Sequence, residues 1–421
     1  MNPKKISIID YTYSLPEDRI ANYPLKERDA SKLLIYQNAE IKEDLYKNIA
    51  EYLPSHSLMV FNNTRVVEAR ILFKKSTGAQ IEIFCLEPGP EYRDISTALA
   101  QTGSVNWLCL IGGASKWKHG LVLEKKIEYA GESIQLSVKY KEKIADSFLI
   151  EISWTPSHFT FAEILHAAGS VPLPPYIKRK AVLEDAERYQ TIYADVEGSV
   201  AAPTAGLHFT PAILSQLELK RIQTAYLTLH VGSATFKPVK SETMEGHEMH
   251  SEFIDLPMDL LDKLITGGFN SITAVGTTSF RTLESLYWLG VKTITNPEIR
   301  SDELYLNQWE AYELTAEHST RKCLIALKSW MLKNQFERLF TRTRLLIVPG
   351  YRFKVVDALV TNFHQPQSTL LLLVAAFIGE DWRKVYQYAL DNEFRFLSYG
   401  DGNLYFTPRP PKGGAQVDDH D

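Results

Sequence analysis

Several features that would settle a function outright are missing from this chain. No apolar run approaches the roughly 18 residues that a bilayer-spanning helix requires. The opening stretch, MNPKKISIIDYTYSLP, has two lysines but no apolar leader core, so no secretory signal is read and a cytoplasmic, membrane-free protein is expected. Cysteine is scarce: Cys85, Cys109 and Cys323 are scattered, odd in number and outside CxxC spacing, which suits reduced, buried thiols rather than a disulfide framework. There is no GK[ST] and hence no P-loop. No GxGxxG opens a βαβ unit, which argues against a Rossmann NAD site and the common methyltransferase cofactor loop. Positive charge is not in excess either; 46 basic against 51 acidic residues leave a net charge of −5, which disfavours a nonspecific polyanion binder but permits a local basic patch.

What is present is a globular composition, 45% hydrophobic and 23% charged, long enough for two or three domains at roughly 150 residues each. To about residue 57 the chain reads as loop, short helix, loop and strand. From Leu58 to about Trp154 it changes to short β-rich runs (LMVF, VVEARILF, QIEIFCLE, NWLCLIGG, GLVLEKKIEY, SIQLSVKY and FLIEISW) punctuated by Gly and Ser, as in an antiparallel barrel or sandwich. Helix and strand then alternate. Helices are expected over Phe159–Ala168, over Thr210–Lys220, from Gly276-Thr277-Thr278-Ser279 to Leu289 with Gly290 as cap, over Thr315–Leu339, and from Ser368 to about Ile378. Strands are expected over Ile222–His230, Ser271–Val275 and Leu345–Val348. The predicted architecture is a larger α/β domain, residues 1–57 and 155–407, with an inserted antiparallel β-barrel domain, residues 58–154. A Pro- and Gly-rich tail, 408–421, is expected to be disordered.

Some stretches carry chemistry. GSVAAPTAGLHFT, Gly198 to Thr210, has small residues that bring backbone close to a ligand, Thr204, Ala205 and Gly206 among them, and one titratable group, His208; Thr210-Pro211 reads as a helix cap. In AVGTTSFRTLESL a strand feeds Gly276, Thr277, Thr278 and Ser279 into a helix N-terminus that favours a carboxylate, with Arg281 and Glu284 three apart behind it; a surface ion pair on a capped helix is an equal alternative. His230 ends a strand before more small residues. His247, His250 and Glu252 raise the question of a metal, but their HxxH spacing is not HExxH and a β segment with His250 and Glu252 on one face serves as well, so no metal is expected. TNFHQPQSTLLLLVAAF holds Asn362, His364 and Gln365 on a loop before a buried helix, and FRFLSYGDG ends in Asp401. Tyr176 precedes Lys178, Arg179 and Lys180, and Phe340, Tyr351 and Phe353 lie among Arg338, Arg342, Arg344, Arg352 and Lys354; cations between aromatics suit loop or single-stranded RNA, or simply a solvated face.

Taken in order, NNTRVVEAR, LPPYIKR, RYQTIYA, GSVAAPTAGLHFT, LHVGSATF, HEMHSEF, VGTTSFRTLES, VPGYRFKVVDALVTNFHQPQSTLLLLVAAF and FRFLSYGD resemble the S-adenosylmethionine:tRNA ribosyltransferase-isomerase family of queuosine biosynthesis, from about Asp10 to Gly402. The resemblance implies an α/β domain with an inserted β-barrel, no metal, and S-adenosylmethionine as co-substrate. It implies transfer and isomerisation of the ribosyl group onto the aminomethyl-deazaguanine wobble base of tRNA, giving epoxyqueuosine with release of adenine and methionine. A noncatalytic tRNA-binding protein and a methyltransferase acting on RNA are the alternatives. A monomer is expected. Chemical suitability then assigns roles: His208, His230, His364, Glu252 and Asp401 as acid-base candidates, the 204–206 and 276–279 loops with Arg281 for the co-substrate, and Arg65, Tyr176, Lys178, Arg179 and Asn362 for tRNA. Two departures from the family pattern stand out. Ala234 occupies a position where glycine is common, and Asn63 stands where aspartate is usual.

Overall fold

In the computed structural model, residues 2–75, 77–92, 94–117, 120–144, 147–230 and 241–407 are described. The expected tail, 408–421, and Ala234 lie outside them. The chain builds a mixed α/β structure around two large sheets. The nine-stranded sheet runs in the order Arg338–Thr343, Glu252–Pro257, Gln223–His230, Leu58–Asn62, Ile272–Val275, Ala358–Asn362, Gly402–Phe406, Lys32–Gln37 and Glu40–Leu45. Its middle is parallel: Leu58–Asn62 pairs with Gln223–His230 on one side and Ile272–Val275 on the other, and Ala358–Asn362 continues the same direction. Every residue of Leu58–Asn62 is buried, as a strand covered on both faces must be.

That placement corrects the expected domain boundary. Leu58 opens the centre of the large sheet, and the chain leaves it only after Asn62. The second sheet has seven antiparallel strands, in the order Gly169–Ser170, Arg70–Lys74, Gln80–Pro88, Ser104–Gly112, Ser147–Thr155, Glu132–Ile144 and Leu123–Tyr129. It curls around the helix Phe161–Ala168, whose start is a capping box between Thr160 and Glu163. Phe161 fills the curl, 4.8 Å from the Trp107 ring and 5.9 Å from Trp154. Lys125 near one end of the sheet donates to the carbonyl of Ala168 at 2.9 Å. Because Gly169–Ser170 pairs with Arg70–Lys74, this unit extends past the expected return at residue 155.

Three helix and strand expectations are also revised. The helix Thr277–Thr295 does not stop at Gly290; a Cβ there would lie 2.2 Å from the carbonyl oxygen of Cys323, so glycine serves the close approach of the helix Thr320–Lys333. The expected helix over 315–339 is that shorter one, ended where Gln335 takes φ 58°. The chain then forms the edge strand Arg338–Thr343, burying Leu339, Thr341 and Thr343 while Phe340 and Arg342 face outward. Residues 345–348 are buried but form no strand. Among the described residues no helix is long and apolar enough to cross a membrane.

Candidate functional site

Loops at the carboxyl ends of parallel strands are where open α/β sheets place ligands. Here Val275 leads directly into Gly276, Thr277 and Thr278, and Ala358–Asn362 into Phe363, His364 and Gln365. Both loops line one cleft of about 100 Å³, whose opposite walls are Ala201 to Ala205, Leu397, Ser398 and Tyr176. Five stretches remote in sequence thus converge. Tyr46 helps hold the 201–205 wall, its hydroxyl donating to the carbonyl of Ala205 at 3.0 Å.

One wall is the start of the helix Thr277–Thr295. Its cap, Gly276, has φ 88° and ψ 151° and no side-chain cap bond, a backbone region that belongs almost wholly to glycine. The first N–H groups of a helix have no intrahelical partner and carry about half a positive charge. Thr278 Oγ1 is buried without a partner among the described residues, so this end of the cleft is rich in unused hydrogen-bonding capacity.

The facing wall is held rigidly. The backbone N–H of His364 donates to the Tyr386 hydroxyl at 3.1 Å, and Tyr13 donates to the His364 carbonyl at 2.5 Å. The His364 Nε2 lies 2.9 Å from Thr361 Oγ1. Burial pushes its pKa down to about 3, so the imidazole is neutral across the physiological range. Thr204 donates to Asn362 Oδ1 at 2.7 Å, joining the two loops, and the Tyr176 and Ser398 hydroxyls are 2.6 Å apart at the rim.

Of the residues expected at the site, Thr204, Ala205, Gly276, Thr277, Thr278, Asn362, His364 and Tyr176 line this cleft. The others do not. His208 sits one layer behind: its Nδ1 faces the Arg28 carbonyl at 3.2 Å and its ring packs 4.5 Å from Tyr46. A carbonyl only accepts, so Nδ1 carries the hydrogen and Nε2 is the acceptor, 3.5 Å from Asn362 Nδ2. Burial lowers the His208 pKa to about 4. Burial does the same to His230, whose Nδ1 lies 3.2 Å from Thr64 Oγ1.

The charged candidates are committed elsewhere. Arg281, one turn into the helix, forms a buried ion pair with Glu252, so neither the expected carboxylate clamp nor a free carboxylate base is available there. Asp401 lies outside the cleft lining and accepts from the backbone N–H of Lys32 at 3.0 Å and of Arg395 at 2.7 Å, one bond on each oxygen, which closes the loop. Arg65 is exposed, 3.9 Å from Glu197; Lys178 pairs with Glu17 and Arg179 with Asp185. Gly206 is a packing glycine, since a Cβ would meet the Tyr193 hydroxyl at 1.9 Å. Ser279 is fully buried in the helix. Asn63 Oδ1 accepts from Thr228 at 2.7 Å, a bond an aspartate would also accept, so that departure leaves the local geometry intact. Among the described residues no group of three or more His, Cys, Asp or Glu is arranged to hold a metal.

Gln365, expected on the polar loop beside His364, also lines the cleft, as do Thr361, Leu397 and Ser398, to which the sequence assigns no role. Their signal lies in NFHQPQST and FRFLSYGD, where polar and small residues flank His364 and Asp401. Leu397 holds φ 69°, a strained value for leucine of the kind that gathers at functional sites.

Residues 8–405 match the family model described as Queuosine biosynthesis protein. Among solved structures, the chain is similar to the crystal structure of an S-adenosylmethionine tRNA ribosyltransferase from Thermotoga maritima, at 28% identity over 94% of this chain and 100% of that one, with a TM-score of 0.44. The family match covers nearly the same span as the ordered motifs, and the chain belongs to the queuosine biosynthesis protein family.

Proposed function

We propose that this chain transfers the ribosyl group of S-adenosylmethionine to the aminomethyl-deazaguanine at the wobble position of tRNA and isomerises it to epoxyqueuosine, releasing adenine and methionine. The observation that carries this reading is the meeting of the 201–205, 276–278, 361–365 and 397–398 segments in one cleft, with an open helix N-terminus on one wall and a neutral histidine on another. The curled sheet is read as the inserted β-barrel of the family, and the protein as a cytoplasmic monomer.

A cleft of about 100 Å³ is small beside the roughly 300–1,000 Å³ of pockets that enclose a cofactor-sized ligand. It therefore takes the methionine end, and the nucleoside lies across its mouth. The carboxylate is assigned to the N–H groups of Thr277 and Thr278 and the Thr278 hydroxyl, since a helix start favours an anion. The sulfonium acidifies the neighbouring ribose C–H. His364 is assigned to the proton, because among the described residues it is the only imidazole lining the cleft. Adenine then leaves, taking up a proton, the substrate amine bonds to the sugar, and methionine departs.

The test is incubation of the protein with S-adenosylmethionine and tRNA carrying the aminomethyl base, followed by chromatography. Release of adenine and methionine is expected. Formation of S-adenosylhomocysteine instead would make the chain a methyltransferase, and binding without turnover would make it a noncatalytic tRNA-binding protein.

A further inference from the structure

Behind the cleft, around His208, lie three arginines that form no ion pair among the described residues: Arg28 and Arg188 line a dent beside it, and Arg28 and Arg395 both act on its ring. Arg28 donates through Nη1 to the carbonyls of Gln190 at 2.7 Å and Leu207 at 3.2 Å, and through Nη2 to that of Glu187 at 2.9 Å. Arg188 donates to the carbonyls of Lys26 at 3.0 Å and Leu25 at 2.5 Å, and Arg395 to those of Tyr23 at 3.2 Å and Tyr399 at 2.7 Å. Each guanidinium has five N–H donors, so each keeps at least two beyond these bonds. The Arg188 Nε is buried with no partner among the described residues. Nearby Arg179 is the contrast, because Asp185 neutralises it through two short bonds.

Carbonyls satisfy donors but do not cancel charge. The acids that act on them do so through space and not in an ion pair: Asp401, capped by two backbone N–H groups, on Arg395, and Glu187 on Arg28. Burial and the charge of Arg188 both lower the pKa of Arg28, as expected where like charges are brought together.

Arg28 and Arg188 line a dent of about 20 Å³ with His208, Ser398 and Tyr399, room for about one oxygen-sized group. Ser398 also lines the cleft, so dent and cleft are separated by the thickness of one residue. Beside Pro24 and Leu25 of the dent, the Tyr23 ring is 59% exposed and lies 4.1 Å from the Arg179 guanidinium.

We propose that Arg28, Arg188 and Arg395 form a phosphate-binding site for the RNA substrate, gripping the backbone of the nucleotide whose base enters the cleft beyond Ser398. The proposal rests on the reading of the chain as a tRNA-modifying enzyme. Guanidinium forks match phosphate oxygens two at a time, one oxygen fits the dent, and the exposed Tyr23 ring offers a face on which a neighbouring unstacked base can lie. A free anion would have no use for that aromatic ring.

The experiment compares wild type, Arg188→Gln and Arg188→Lys by fluorescence anisotropy with tRNA, across salt concentrations and without S-adenosylmethionine. For Arg188→Gln, about a tenfold weaker affinity is expected, with a salt slope flatter by about 0.7 to 0.9, the share of one phosphate contact. Arg188→Lys, which restores the charge but not the fork, is expected to recover the salt slope. Unchanged affinity and slope in Arg188→Gln would overturn the site. So would a loss in both variants accompanied by a fall in melting temperature, which would make Arg188 a staple between loops. Inorganic phosphate that binds tightly and leaves tRNA affinity untouched would assign the dent to a free anion and also overturn it. Adenine release by the wild type is a separate measurement: turnover with an indifferent Arg188→Gln overturns this site alone, whereas a wild type that neither turns over nor binds tRNA overturns both readings.

Discussion

His208, His230 and His364 are held neutral by burial, with pKa values lowered from 6.5 to about 4, 4 and 3. In the unfolded chain each returns to about 6.5 and protonates as pH falls. The unfolded state therefore binds more protons between pH 6.5 and the folded pKa, and stability declines as pH drops through that window. At 1.36 kcal/mol per unit, each histidine costs about 1.3 kcal/mol between pH 7.5 and 5.5, and the three together about 4 kcal/mol. That is a large share of a typical domain's stability of roughly 5–15 kcal/mol. The raised carboxyls of Glu284, Asp401 and Glu87 act in the opposite sense, so the raw slope of the wild type is not diagnostic; a difference is. His208→Gln keeps a donor for the Arg28 carbonyl and removes the titration. Urea unfolding of both proteins at pH 7.5, 6.5 and 5.5 is expected to show the wild type's advantage over His208→Gln shrinking by about 1.3 kcal/mol across the series. An advantage that stays constant with pH would refute the claim that His208 is buried and neutral.

His364→Gln preserves a hydrogen bond to Thr361 and is expected to lower turnover by about 100-fold or more if the imidazole takes the proton; adenine release under saturating S-adenosylmethionine measures it, and an unchanged rate removes His364 from that role. Glu284 is fully buried and accepts from the N–H groups of Lys354, Val355 and Val356 and from the Tyr351 hydroxyl, so Glu284→Gln turns an NH₂ group against donors and is expected to cost about 3–5 kcal/mol by denaturant melt. A loss below about 1 kcal/mol would mean the carboxylate does not fasten the 351–356 segment. Gly290→Ala, forced against the Cys323 carbonyl, is expected to destabilise by roughly 1–3 kcal/mol, although alanine ordinarily favours a helix over glycine by up to about 1 kcal/mol; stabilisation would contradict the close helix approach.

Where the chain's small residues meet strand ends, the sequence was legible. Gly276 to Thr278 and the 201–205 loop lack bulk and charge, and both the strand before Gly276 and the helix after it have clear apolar patterns, so their place at the cleft follows from local chemistry. The fate of Arg281 and Asp401 does not. Arg281 is only one turn beyond Thr277, but its partner comes from the strand Glu252–Pro257, which reaches it only because that strand pairs with Gln223–His230. Asp401 reads as an acid in a turn; that it closes one backbone bond to Lys32 and another to Arg395 depends on a strand pairing between residues nearly 370 positions apart. The Leu58 boundary failed for a related reason. A fully buried parallel strand and a short barrel strand are both brief apolar runs, and periodicity cannot separate them.

The distribution of charge around the cleft follows a rule once its ligand is considered. A sulfonium co-substrate carries a cation close to a carboxylate, and a site that grasps the carboxylate with a full positive charge also repels the sulfonium. At about 6 Å and an effective dielectric of about 20, a guanidinium would oppose it by about 3 kcal/mol. A helix start with about half a charge would oppose it by about half as much and still satisfy the carboxylate through N–H groups. The arrangement fits that requirement: Arg281 is neutralised one turn behind the helix start by Glu252, and the arginines without acid partners lie beyond Ser398, behind the cleft wall. There their charge meets the RNA backbone rather than the sulfonium. Moving a cation forward, as in Thr278→Lys, should therefore raise the KM for S-adenosylmethionine by tenfold or more while leaving tRNA affinity unchanged; equal affinity for S-adenosylmethionine would show that the helix start does not face the methionine end at all.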